Sequence, residues 1–290
     1  MQRKDLYNML ILAAIWGGSF LFMRMSVHEL GALPLMGVRT FLAGLLLLPL
    51  LIWHKKLPLL LAYWRQIAIV GLFNSALPFV LFAYATKTIP SGTMSVINAV
   101  TPLWGAMIAW LWLKDRLPPL RILGLFVGLT GIVILVWDKL TLQGSGSVLA
   151  VIAGVSAPIF YGVAASFTKK YLMKADPLAT ASGSLMSAGL VLMPFAWWQW
   201  PIEPVSLGAW GAALSLTVIC TSIAYLLYYK LLLSIGPAKS MTVTFLVPVF
   251  GVFWGWLFLS ETINRYVVIG GAVILIGTAL ATGLLGGKRK

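Results

Sequence analysis

Seven carboxylates, two histidines and one cysteine are the groups in this 290-residue chain with which covalent, proton-transfer or metal chemistry could be done. Acid–base chemistry, and ion coupling across a membrane, need an ionisable group held at depth. Asp5, Glu29, Asp115, Asp138, Asp176, Glu203 and Glu261 all fall at the ends of apolar segments or between them. For Asp115 and Glu261 that leaves two readings, an anchor for a helix end or a gating or proton site. His28 and His54 stand at segment edges with no partner at metal-ligand spacing. Cys220 lies alone in an apolar run, which excludes a disulfide framework or a cysteine metal site. With no nucleophile–base pair, neither an intramembrane enzyme nor a cofactor is expected.

What remains are neutral polar and aromatic groups inside the apolar segments. Asn98 and Thr101 share a helix face just before Pro102, and Asn74 precedes Pro78. An amide in hydrocarbon is costly unless bonded, so these side chains are expected to face inward, towards a neighbouring helix or a bound molecule. Trp16, Ser19, Phe20 and Met23 recur at i, i+3, i+4 and i+7, one face of a helix. Thr221, Tyr225 and Tyr228 form a second stripe, and each tyrosine hydroxyl at depth needs a partner. Packing and the lining of a cavity are the two readings of these stripes. Pro78, Pro102, Pro158 and Pro248 each free a backbone carbonyl within a segment, as a packing kink or as a hinge.

The elements that must position these groups follow from composition. Hydrophobic residues make up 60% of the chain and charged residues only 10%, against about 25% charge in an ordinary soluble domain. Ten apolar segments recur, approximately at 6–26, 34–53, 66–86, 93–113, 121–137, 147–168, 177–198, 208–229, 240–259 and 266–285. Each has the length of a membrane-spanning helix. The first reads as a retained helix, because no small-residue cleavage site follows a short apolar core. The net charge of +14 is distributed by side. With a cytoplasmic N-terminus, every Lys and Arg except Arg24, Arg39, Lys87, Lys139 and Arg265 falls on the cytoplasmic face. This positive-inside pattern places both termini in the cytoplasm, in a multi-pass plasma (bacterial inner) membrane protein. The basic residues meet the lipid bilayer, and no nucleic-acid partner is required.

The chain also repeats itself. A shift of 146 residues brings Trp64 to Trp210, Pro102 to Pro248, Gly105 to Gly251, Asp115 to Glu261 and Gly131 to Gly277. The pattern Pro-x-x-Gly-x-x-x-x-Trp-Leu-x-Leu-x-acid recurs at 102–115 and 248–261. The same offset relates Asn98 to Thr244 and Tyr225 to Phe79, and with slightly shorter offsets Tyr161 is the mate of Ser19. The expected units are residues 1–140 and 141–290. Five helices in each unit, an odd number, make the second copy inverted. Such duplication is a signature of secondary transporters, in which exchanging the conformations of the halves alternates access.

Trp16-Gly17, Phe20, Arg24, Pro34, Arg39, Ala43, Pro102 and Asp115 in the first half, with Pro248, Gly251, Glu261, Gly270 and Gly277 in the second, carry a family resemblance. The chain resembles the ten-helix, EamA-domain branch of the drug/metabolite transporter superfamily, which includes amino-acid and metabolite exporters. The resemblance implies a central cavity lined by helices 1, 3, 4, 6, 8 and 9, with helices 5 and 10 as scaffold. Pro158 stands where the first half has Trp16, and the second half lacks a clear equivalent of Arg39, so a symmetric clamp is not expected.

The expectation is therefore an all-α membrane protein of ten transmembrane helices, built as two inverted five-helix repeats around a central cavity. It exports small amphipathic metabolites, neutral amino acids with aromatic or hydrophobic side chains foremost, with drug or xenobiotic export as the alternative. The expected lining is Trp16, Ser19, Phe20, Asn74, Phe79, Phe82, Asn98, Thr101, Tyr161, Thr221, Tyr225, Tyr228 and Thr244. No charge is expected at the cavity's centre. Arg24 and Arg39 belong to the outer rim, interfacial or guiding a carboxylate through the outer vestibule. Helices 5 and 10 carry the glycines Gly124, Gly128, Gly131, Gly270, Gly271 and Gly277 for close packing, in a monomer or weak homodimer.

Overall fold

A backbone that has no water to bond must bond to itself, and each apolar segment is accordingly helical. The structure, a computed structural model, describes residues 3–142 and 145–284, and the side chains outside 138–147 and 237–238. The side chains of Asp138 and Lys139, the basic tail Lys288, Arg289 and Lys290, and both chain ends lie outside the described residues.

Ten helices are long and apolar enough to cross a membrane among the described residues. They are α1 (Arg3–Leu30), α2 (Ala32–Trp53), α3 (Trp64–Thr86), α4 (Ser91–Leu113), α5 (Pro119–Trp137), α6 (Val148–Tyr171), α7 (Pro177–Trp198), α8 (Leu207–Ile235), α9 (Met241–Leu259) and α10 (Arg265–Thr282). Short connections make successive helices antiparallel. The tightest is Gly31 alone, between α1 and α2, at φ 80°, a left-handed backbone that glycine adopts without strain. We call the end of the bundle that holds Arg3 proximal and the other distal.

Helix starts are capped from the sequence. Asp176 accepts hydrogen bonds from the Leu178 and Ala179 amides at the start of α7, at 2.9 and 3.2 Å, and Pro177 needs no donor there. Ser206 and Asn264 do the same for α8 and α10. The side chains that face away from the bundle include Leu46, Phe126, Val133, Val191 and Ile269, all exposed. In water such a surface would invite aggregation, whereas in hydrocarbon it is matched to its solvent. Trp53, Trp197 and Trp198 are exposed at helix ends, where indoles sit at the bilayer interface.

Two helix pairs flank the bundle, α5 with α10 and α2 with α7, and they make the most extensive contacts in the fold. Without a hydrophobic drive between helices in lipid, close backbone approach has to supply the attraction. A Cβ on Gly131 would come within 2.7 Å of the Ile274 amide nitrogen, and one on Gly270 within 2.8 Å of the Leu135 amide. In α2 and α7, Gly44 meets the Met186 backbone and Gly189 the Phe41 backbone just as closely. The glycines of α5 and α10 thus face each other within one chain. Gly131→Val should destabilise the protein by about 1–3 kcal/mol, as overpacking does. A lowered unfolding midpoint in detergent checks this, and an unchanged midpoint would show that the pair is looser than described.

Candidate functional site

The remaining six helices enclose the middle of the bundle, and four of them are irregular there. In α3 a π-helical turn spans Leu72–Ala76, immediately before Pro78. In α8 a second one spans Val218–Ile223, where the hydroxyls of Thr221 and Ser222 donate to the carbonyls of Leu216 and Thr217, five residues back. α4 is interrupted at Ala99–Val100, before Pro102, and α9 begins as a 3-10 turn at Met241–Phe245, before Pro248. Wide turns of this kind often mark functional positions. The irregularities in α3 and α8, and those in α4 and α9, fall at positions related by the offset that relates Pro102 to Pro248. Pro158, by contrast, lies inside α6 with no interruption.

The break in α4 shows how a freed backbone is satisfied at depth. Pro102 has no N–H to give the Asn98 carbonyl, and the Thr101 hydroxyl donates to that oxygen instead, at 2.7 Å. Leu103 turns its amide to Val100, and the buried hydroxyl of Thr278 on α10 reaches the Ala99 carbonyl at 3.2 Å. Thr101 is therefore committed to its own helix. The amide nitrogen of Asn98 has no acceptor among the described residues and stays available.

Between these breaks lies a cavity of about 320 Å³, within the size range of small-molecule sites. Its wall consists of Trp16, Ser19, Phe20 and Met23 of α1, Asn74, Phe79 and Phe82 of α3, and Asn98 and Thr101 of α4. Tyr161 and Ala165 of α6, Cys220, Tyr225 and Tyr228 of α8, and Met241, Thr244 and Val247 of α9 complete it, together with Arg39 of α2. Helices α5 and α10 contribute nothing. Aromatic rings dominate the wall: Trp16 and Tyr228 lie 5.3 Å apart between centroids, and Phe20 meets Phe82 edge-on at 5.6 Å. The Asn74 amide donates to the Tyr225 hydroxyl at 3.5 Å, a long bond from the π-helical turn of α3 to the helix just after that of α8.

Of the thirteen residues expected to line a cavity, Thr221 alone does not. It is buried behind the wall, where its hydroxyl accepts from Arg39 Nε at 2.9 Å. Arg39 is the larger departure. Expected at the outer rim, it sits two helical turns inside α2, about 10 Å from that helix's distal end. It is buried, with its guanidinium carbon 3.9 Å from the Phe79 ring centroid. The wall thus carries a charge where none was expected. A cation this deep in an apolar segment is itself a signal of function. Arg24 is half-buried and donates to the backbone carbonyls of Thr86 and Ile89, where α3 ends.

The cavity is closed distally and open proximally. On the distal side Met23, Val27, Ile89, Met94 and Phe82 are buried together. Glu261, in the connection from α9 to α10, accepts from the Ser91 and Gly92 amides at 2.7 and 2.9 Å, capping the start of α4. Glu29 accepts from the Ser206 amide at 2.7 Å in the same way. The distal half of α4 packs on α1 and α9, whereas its proximal half packs chiefly on α6. Met241 and Ala165 are exposed on the proximal side, and Tyr228 and Thr244 half-buried. A cysteine at Thr244 should react quickly with a water-soluble maleimide, and one at Val27, buried in the distal cluster and outside the cavity wall, slowly. Equal rates at the two positions would contradict the closed distal side.

The sequence pattern of the EamA-like transporter family matches this chain twice, over residues 5–137 and 148–283. "Uncharacterized transporter YoaV" of Bacillus subtilis (strain 168) is 23% identical over 285 residues, covering 96% of this chain and 97% of its own. "Uncharacterized inner membrane transporter YedA" of Escherichia coli (strain K12) is 28% identical, over 92% of this chain and 87% of its own. A solved crystal structure superposes with a TM-score of 0.66 over 99% of this chain and 100% of that one, at 16% identity, a likeness of fold. Family pattern, ten spanning helices and a central cavity agree: this multi-pass membrane protein belongs to the EamA-like transporter family.

Proposed function

We propose that this transporter exports small amphipathic metabolites, neutral amino acids with aromatic or hydrophobic side chains foremost, by alternating access. The observation that carries the reading is the cavity wall, in which aromatic rings surround a few polar groups, Asn74, Asn98 and Thr244 among them. An apolar body packs against Trp16, Phe82 and Tyr225, while a polar end bonds Asn74, Asn98 or Thr244. In this reading the proximal side is the cytoplasm, as the basic residues Lys55, Lys114, Lys169 and Lys230 suggest by their position at helix ends there. The described state is then inward-facing. The membrane is the bacterial inner membrane, the location in the name of the Escherichia coli relative. Pro78, Pro102 and Pro248, beside the irregular turns, are the hinges of this scheme.

All described acids lie at helix ends or in connections, so no carboxylate in the wall is placed to carry a proton. Flux down the substrate's own gradient follows. Uptake of a labelled amino-acid panel into proteoliposomes, with and without a pH gradient, tests this. Aromatic and branched neutral amino acids should be carried at rates that the pH gradient leaves unchanged. If no amino acid is carried, the substrate assignment falls while family membership stands. Asn98→Ala should slow transport about five- to tenfold, the worth of one hydrogen bond, with membrane insertion unchanged. Wild-type flux in that variant would remove Asn98 from the site.

A further inference from the structure

The next inference rests on that reading and concerns which end of an amphipathic cargo the cavity grips. Arg39 is buried in the wall. Its Nε donates to Thr221, one Nη1 hydrogen points at the Met36 sulfur at 3.8 Å, and its flat face lies on Phe79. The other guanidinium donors have no acceptor among the described residues. No Asp or Glu among the described residues pairs with it, and its polar neighbours in the wall are Tyr161, Tyr225 and Cys220, all neutral groups.

A guanidinium in an apolar wall without a counter-ion is costly, and its fork of donors matches a planar oxyanion bidentately. Phe79 and Thr221 fix the fork in place, so little ordering is left for a ligand to bring about. An ammonium group meets the opposite situation. The wall holds no carboxylate, and Arg39 repels any cation that shares the cavity. An α-amino acid therefore gains from its carboxylate and gains little from its amine.

We propose that Arg39 anchors a substrate carboxylate, and that the cargo class is set by this group together with an aromatic or apolar body. The α-ammonium group is dispensable. Amino acids are then one subset of a wider class of aryl and alkyl carboxylates, and amines and esters of the same shape are excluded.

The test uses the purified full chain in lipid nanodiscs, with binding read as the rise in unfolding midpoint on ligand addition. Four probes share one ring: 3-phenylpropionate, phenylalanine, phenylalanine methyl ester and phenethylamine. Hexanoate serves as an aliphatic acid. 3-Phenylpropionate and phenylalanine should stabilise to a similar extent, and the ester and the amine should not. Arg39→Gln should weaken binding of both acids by about 10- to 150-fold, the range for a lost charge-assisted contact. Arg39→Lys, which keeps the charge and loses the fork, should fall between. The probe series needs no variant, so it decides even if Arg39→Gln does not fold. Binding of phenethylamine or the ester as tight as that of 3-phenylpropionate would overturn the proposal, as would unchanged acid binding in Arg39→Gln. Binding of hexanoate without the ring compounds would keep the anchor and remove the aromatic preference of the function proposed above. No midpoint shift with any carboxylate at millimolar concentration would overturn the anchor itself.

Discussion

The interior of a bilayer offers no hydrogen-bond partner, and nearly every feature of this fold follows from that one deficiency. The paired helices α2, α5, α7 and α10 run without interruption. Carboxylates are confined to the ends, where backbone amides are available to them: Glu261 at the start of α4, Asp176 at the start of α7 and Glu29 at Ser206. Among the described residues the irregular turns within spanning helices lie in the helices that line the central cavity, and at the α4 break hydroxyl groups take the freed carbonyls. Arg39 is the exception that the bilayer makes conspicuous, a charge kept at depth by an aromatic face and a threonine.

The same deficiency separates two kinds of helix. In α2, α5, α7 and α10, glycines bring backbones together, and dispersion between closely packed atoms holds the pairs. The pair α5 and α10 contributes no residue to the cavity, and α2 contributes Arg39 alone. The other helices trade packing for polar and aromatic lining, and they contain the irregular turns. Gly17 of α1 joins these two roles, because α9 crosses it with the Gly251 amide 2.8 Å from where a Cβ would stand.

Much of this was legible in the sequence, because hydropathy reports where along the membrane normal a residue lies. The ten spans, the acids at their ends and the scaffold glycines all come from that axis. The aromatic lining was legible for a second reason. Trp16, Ser19 and Phe20 share a face by helical period alone, and Asn74 and Asn98 had to turn inward. Rotation about the helix axis was harder to read. Thr221 follows the stripe of Tyr225 and Tyr228 on an ideal helix, but the π-helical turn at Val218–Ile223 changes the phase and hides it behind the wall. Arg39 stands in the distal third of its span, which along that axis reads as rim, and nothing local tells that it stacks on Phe79 in another helix. Pro158, unlike Pro78, Pro102 and Pro248, has no irregular turn beside it, and the helix runs on through it.

The joint in α4 has a mechanical consequence. The Asn98 carbonyl is served by the hydroxyl of Thr101, three residues further along the same chain, and the Ala99 carbonyl by the Thr278 side chain. The ladder that stiffens an ordinary helix is thus already open at this level. Bending there extends no continuous run of backbone bonds, and the segment beyond Pro102 behaves as a lever on a pivot with its own bearings.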